Sequence, residues 1–358
     1  MFFFELIQIA LGVRPTFSKE PANADWNEAY QMAVKHALVG LCFTAVEKLN
    51  RDNEALKPPM PLFYQWMGDV LQIEAQNKAL DLAAERLTRI FKTGGLRSCV
   101  LKGQGIARLY PCPERRQPGD IDLWVEGGRK KILKFLKDNF FGIGDVVIHH
   151  VDTHIVEGVE SEIHFIPVYV HNPLIHSRLQ RYFKDKAEEQ FSNMDEQLGF
   201  AHPTLAFNAV YILAHIYMHF LYEGIGLRQL IDYYQVLINM SEEDRGIAVN
   251  EIKKVGLKKI AGAVIFVLAQ IFGSNEKINL FKPDEKRGRM LYREIIQNGN
   301  FGKYDVGLKG RDENNLIKFN LLAFRRQLKF IRFFPLDVIS IPFFKVGHWC
   351  WRKINGYV

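Results

Sequence analysis

The chain has 358 residues, 48% apolar and 24% charged, with a formal net charge of +7. This is the composition of an ordinary soluble globular protein, long enough for two domains or for one core domain with a helical appendage. Cysteines 42, 99, 112 and 350 form no CxxC pair or regular spacing, which excludes a zinc knuckle and a disulfide framework and fits a reducing, cytoplasmic setting.

The first residues, "MFFFELIQIALGV", lack a basic n-region and a small-residue cleavage site and are too short to span a bilayer. They predict a helix packed onto the body. Residues 25–50 repeat apolar positions at three and four, with Asp25 as N-cap. The prolines of "KPPMP" interrupt that pattern, and 62–95 then reads as one long helix closed by Gly94 and Gly95.

At Leu96 the character changes. "LRSCVLKG" predicts a short buried strand, "QGIARLY" a short helix, "PCPERRQPG" a loop and "DIDLWV" a second strand. "GGRKKILKFLKDNF" predicts an amphipathic helix, and "DVVIHH", "THIVEG" and "ESEIHFIPVYV" further strands. From Pro203 four helical stretches (204–224, 227–240, 245–256 and 258–273) follow with short joints. The expected fold is α+β: a helical segment over 1–95, an α/β core with a small mixed sheet over 96–200, and a C-terminal helical domain over 201–358.

Asp120 and Asp122 stand at i and i+2 of an otherwise apolar strand, so both carboxylates share one face. Like charges that close repel unless a cation sits between them, and removing either is expected to cost little metal-free stability. Mg²⁺, with Mn²⁺ as the alternative ion, suits carboxylate oxygens completed by waters and substrate phosphates. Glu162 interrupts an apolar strand in the same way and is the candidate third acid, with Glu157 and Glu160 as alternatives. In "LKGQG" a strand ends at Lys102, and Gly103 and Gly105 open the next helix, where backbone N–H groups can approach an anion. Neither GxxxxGK[ST] nor GxGxxG is present, and Lys102, Arg115 and Arg116 are available as positive charge for a triphosphate.

"VLKGQGIARLYPCPERRQPGDIDLWV", followed by "EIHF", resembles the uncharacterised nucleotidyltransferase family of the polymerase-β-type superfamily. That family reads LKG, a YP-x-P-x-x-R loop, GDIDLLV and then a Glu-h-His strand. "AVKHALVGL" and "LAHIYMHFLYEGIGLRQLIDYYQVL" resemble its flanking helices, so the likeness covers most of 25–240 and leaves the tail unmatched. The resemblance implies a small mixed sheet flanked by helices, with Mg²⁺ held by Asp120, Asp122 and Glu162. It further implies transfer of a nucleoside monophosphate from an NTP to a hydroxyl-bearing acceptor, with the nucleotide against Lys102, Gly103, Gln104, Gly105, Arg116 and Gly119. The Gly-Ser pair usual in the wider superfamily is replaced by Lys102-Gly103, and the aspartates follow at a longer interval. The alternative is a catalytically silent nucleotide-binding or membrane-surface scaffold that keeps this fold.

Six of eleven histidines (149, 150, 154, 164, 171, 176) fall in one stretch, but their spacing matches no zinc pattern. His164 shares the face of Glu162. His215 and His219, at i and i+4 without the Glu of HExxH, read as a packing or polar-network pair. Arg228 and Asp232 read as a helix salt bridge. From Lys318 to Lys353 there are eight Lys or Arg against Asp337 alone, a net +7 that leaves the rest of the chain balanced. This basic aromatic tail, 318–358, admits three readings: a helix packed on the bundle first, contact with an anionic membrane surface second, nucleic acid last.

Overall fold

The apolar N-terminal run forms helix α1 (Phe2–Ala10), which buries Leu6, Ile7 and Ile9 in the main core. The computed structural model describes residues 2–52, 56–140, 143–305 and 316–357. Val358, the last residue of the tail singled out above, lies outside them. The helical stretch 25–50 is two helices, α2 (Asn23–His36) and α3 (Val39–Asp52). They part at Ala37, which takes a left-handed φ of +57° while the N–H of Leu38 bonds back to Ala33 O at 2.8 Å. Asp25 lies one turn inside α2 rather than at its cap, and its carboxylate accepts the N–H of Ala22 at 2.8 Å.

Helix α4 (Met60–Thr93) buries Leu62, Trp66, Val70, Ile73, Asn77, Leu80, Leu87 and Phe91, a period near 3.6 sustained for 34 residues. Its chain reverses at Gly95, whose φ of +66° favours glycine. Strand β1 (Ser98–Leu101) and the one-and-a-half-turn helix α5 (Gly103–Ala107) follow. Next come β2 (Ile121–Val125) and α6 (Gly128–Asn139). Strands β3 (His150–Thr153) and β4 (Ser161–His164) are four residues each, shorter than the apolar runs suggest. "DVVIHH" contributes only a Val146–Val151 bridge before β3, and "THIVEG" only its first residue. Three features escaped the periodic pattern: helix α7 (Pro173–Ser192), the hairpin of β5 (Met194–Asp195) and β6 (Phe200–Ala201), and a later helix over Glu285–Asn298.

The six strands form one mixed sheet in the order β3-β4-β2-β1-β6-β5. β2 runs parallel to β4 and antiparallel to β1, with Asp122 opposite both Glu162 and Leu101. All five β2 residues are buried because helices cover both faces, which is why the strand reads as a nearly unbroken apolar run. Ile121, Leu123 and Val125 pack with Leu87, Phe91, Ile132 and Leu136 of α4 and α6. On the other face Trp124 lies 4.5 Å from Phe191 and 6.0 Å from Phe207, measured between ring centroids.

Phe207 belongs to α8 (Leu205–Tyr222), the one helix among the described residues long and apolar enough to cross a membrane. Most of it is buried inside the protein, so its apolar length serves the core. It leads α9 (Leu227–Asn239), α10 (Glu242–Val255), α11 (Lys258–Phe272) and α12 (Glu285–Asn298). The tail forms a helical hairpin, α13 (Leu316–Leu328) and α14 (Pro335–Ile354). It packs on the bundle, as its apolar content led one to expect. Phe330 meets Phe220 at 4.7 Å, and buried Arg326 reaches Asp305 at 2.9 Å and Glu294 at 3.4 Å.

Candidate active site

Strand register brings the acids together. Asp122 and Glu162 are Cα partners on parallel neighbours, and Asp120 is the loop residue immediately before β2. One carboxylate oxygen from each lies within 4.8 Å of the others. The donor set is three oxygens of hard, anionic character, which suits a divalent cation that also takes phosphate oxygens. A second group within the same limit, His150, Glu162 and His164, shares Glu162 with the first.

An alternating row of acids and bases crosses the floor of this region. His150 stands 3.2 Å from Asp152 and 3.2 Å from Glu162, through opposite ring nitrogens. His164 Nε2 stands 3.1 Å from Glu162 and 3.0 Å from Asp122. The other Asp122 oxygen meets Lys102 Nζ at 2.9 Å. Lys102 Nζ also lies 3.1 Å from His215 Nε2, which lies 3.1 Å from His219, and His219 is 3.1 Å from Glu223.

The charges follow from these contacts. Burial alone would depress the His164 imidazolium, but hydrogen bonds to Asp122 and Glu162 raise it to about 9. Burial works against Lys102 as well, yet Asp122, Asp120 and Glu162 together hold its ammonium above the ordinary lysine range. For Glu162 burial pushes up, and the His164 hydrogen bond with the nearby cations brings it below its usual range. His215, pushed well down by burial and by the Lys102 ammonium, is neutral and accepts from Lys102. Two protein cations therefore compensate Asp122.

Lys102 is held at φ +38° and ψ −143°, a region L-residues rarely occupy. That turn ends β1 and aims the ammonium at Asp122. Lys102, Asp120, Asp122 and Glu162 all line a cleft of roughly 430 Å³. Its walls hold His149, His171, Tyr169 and Tyr222, together with Phe344 and His348 from α14. Phe344 lies 4.5 Å from the Tyr169 ring and 4.7 Å from His171. Four of the six histidines of the 149–176 stretch (149, 150, 164 and 171) thus converge in space although no linear spacing relates them, and His215 and His219 form a polar network.

The other residues singled out for phosphate lie elsewhere. Gln104 turns away from the cleft, its amide donating to Asp81 at 2.6 Å. Gly105 packs closely on His202 and the Val100 carbonyl, while Gly103 approaches the Asp120 carbonyl. Arg116 is buried in a two-point pair with Asp232, at 2.8 and 2.7 Å, and Tyr110 donates to the same carboxylate at 2.7 Å. Arg115 pairs with Glu47 and, at 2.8 Å, with Glu74. The loop arginines that charge alone would send to a triphosphate are spent fastening the loop to α3, α4 and α9. The helix pair Arg228–Asp232 is likewise replaced. Asp232 takes Arg116, and Arg228 donates to the carbonyls of Gln117 and Pro118 at 3.1 Å each, directly ahead of Gly119 and Asp120. Asn77 of α4 completes the clamp by donating to Glu114 O at 2.7 Å and Arg116 O at 2.8 Å.

Sequence reasoning missed Asp152, Asn77 and the clamp role of Arg228, and saw His150 only as one of a histidine-rich stretch. Asp152 is the Cα partner of Glu162, a relation that needs the strand register.

No curated protein and no solved structure gives a significant match to the chain. The sequence model of a family described as uncharacterised nucleotidyltransferase matches residues 22–273, from the start of α2 to the end of α11. The matched span contains β1, β2 and β4 together with Asp120, Asp122 and Glu162 and leaves the α13–α14 hairpin outside. On that match across well over half its length, the chain belongs to the uncharacterised nucleotidyltransferase family.

Proposed function

We propose that the protein transfers a nucleoside monophosphate from an NTP to a hydroxyl-bearing acceptor, with Mg²⁺ as the working ion and Mn²⁺ as a substitute. The observation that carries this reading is the register of Asp122 against Glu162 with Asp120 just ahead of the strand, which gathers three carboxylates around one point. When bound there, the ion would neutralise phosphate charge and lower the pKa of the acceptor hydroxyl.

The chain's own residues do the rest. Lys102 lies within reach of both the acids and the cleft, and its ammonium can trade Asp122 for a phosphate oxygen. Of the glycines beside it, Gly103 approaches that position through the Asp120 carbonyl. Glu162, on the far side of Asp122 from Lys102, is the group to accept the acceptor's proton. His164 holds Asp122 and Glu162 in fixed orientation, and the aromatic wall from Tyr169 and Phe344 excludes water. Arg116 and Gln104 act as positioning residues, securing the loop and α5 behind the phosphates.

A silent nucleotide-binding scaffold is favoured by one observation: Asp122 already carries two protein cations. One experiment separates the readings. The protein is incubated with Mg²⁺ and α-labelled NTPs plus a lysate fraction as acceptor source, and label transfer and pyrophosphate are followed. Label on an acceptor, absent with Asp120→Asn, supports transfer. Nucleotide binding with no turnover under any acceptor supports the scaffold.

A further inference from the structure

Helix α14 has two dissimilar faces. The inner one carries Phe344 and His348 to the cleft and stacks Trp351 under the Arg129 guanidinium at 4.4 Å. The outer one carries Leu336, Ile339, Phe343, Val346, Cys350 and Ile354, returning every three or four residues along one arc. These are exposed, Phe343 by 75%, Val346 by 64% and Ile354 by 84%. On α13 and the turn after it, Leu321, Leu328 and Ile331 are exposed as well.

Charge gives the second observation. Arg325, Lys329, Arg332 and Lys353 are exposed around these apolar residues. The one acid in the hairpin, Asp337, is buried and accepts from Asn172 at 3.2 Å. Among its described residues the hairpin therefore shows solvent an apolar strip bordered by cations, with no acidic side chain exposed.

We infer that this face of the α13–α14 hairpin docks on an anionic phospholipid bilayer, its aliphatic residues entering the interface and its cations meeting lipid phosphates. An amphipathic helix lying in the interface has this distribution, with cations attracted to the negative surface of the leaflet. Phe343 and Trp349 offer stacking planes, but the Leu, Ile and Val that make up most of the strip offer a nucleic acid neither hydrogen bonds nor a stacking plane. A two-fold contact between copies would set the same cations against one another. The inference goes beyond the transfer chemistry and stands without it. Docking would lay the outer face of the cleft's own wall on the lipid.

The test is cosedimentation of the full chain, without nucleotide, using vesicles of phosphatidylcholine alone or mixed with phosphatidylglycerol. The expected result is pelleting with the mixed vesicles, little with phosphatidylcholine alone, and release by salt. Phe343→Glu/Val346→Glu should lower the partition to mixed vesicles by about tenfold or more. Both positions are exposed, so an unchanged thermal melt controls for folding. Arg325→Glu/Lys329→Glu should reduce the preference for anionic lipid. Wild type remaining in the supernatant with mixed vesicles, or the Phe343/Val346 variant pelleting as well as wild type, overturns the inference. So does either a dimer abolished by that variant or an oligonucleotide complex abolished by the charge reversal, when no vesicle binding accompanies it.

Discussion

Asp122 and Glu162, Cα partners on adjacent parallel strands, share one imidazole nitrogen: His164 Nε2 lies 3.0 Å from the first carboxylate and 3.1 Å from the second. The repulsion that a pair of acids on one strand face would feel is thus answered within the fold, by His164 and by Lys102.

The two aspartates should therefore separate in stability. Asp122 is 2% exposed and supports two cations, so Asp122→Asn leaves both without a full partner and should cost about 1–3 kcal/mol. Asp120 is the more exposed, and Asp120→Asn should stay within about 0.5 kcal/mol of wild type. Chemical denaturation in chelator measures both. The sequence alone leads to a small expected cost for either, and the structure leads to it for Asp120 alone. Both variants, and Glu162→Gln to a lesser degree, should lose transfer.

Metal-free stability should fall in mild alkali. His164 is raised to about 9 from an ordinary 6.5, so the folded state binds the extra proton between those values. Its contribution is fully present below about pH 6.5 and lost as pH rises through about 9. Melts in chelator at neutral and alkaline pH should show a decline on the order of 1–3 kcal/mol. His164→Gln should flatten it. Equal slopes in the two proteins would assign the decline to other groups.

The buried pair of Arg116 and Asp232 gives a double-mutant prediction. Arg116→Met strands a buried carboxylate and should cost about 3–5 kcal/mol, whereas Arg116→Met with Asp232→Leu should recover much of it. Urea unfolding of the two singles and the double measures the coupling. A merely additive double would mean that the pair adds nothing beyond its separate contacts.

Lys102 carries a charge and a strained backbone, and the two can be parted. Lys102→Ala and Lys102→Gly both remove the ammonium, and both should weaken NTP binding by about tenfold or more in calorimetry with Mg²⁺. Glycine alone accepts the φ of +38° without penalty, so Lys102→Gly should be the more stable variant by about 1–2 kcal/mol.

Much of this was legible in the sequence where a single element carries the signal. The period of α4, the buried run of β2 and the Asp-x-Asp face need no tertiary knowledge. Helix α7 was not legible, because only a narrow stripe of it (Leu179, Tyr182, Phe183, Phe191) is buried and its charged face dilutes the period. The two-residue strands β5 and β6 are too short for alternation to appear. The destinations of the loop arginines were hidden for a different reason. Glu47, Glu74 and Asp232 come from three helices, and nothing local says which cation each will meet. Counting positive charges near Asp120 finds the right residues and misassigns their partners.

The wall that α14 adds to the cleft has a consequence for the order of assembly. Ribosomes deliver the acids of β2 and β4 long before Phe344 and His348, and domains fold as their residues emerge. A nascent chain halted after Gly273 holds every residue matched by the family and lacks Phe301, Phe344 and His348 of the cleft lining. Synthesis thus sets a delay between having the carboxylates and enclosing them. Leu291, Ile295, Phe330, Phe334 and Val338 of the shared core arrive in that same interval, so closing the cleft and completing the core are one late event.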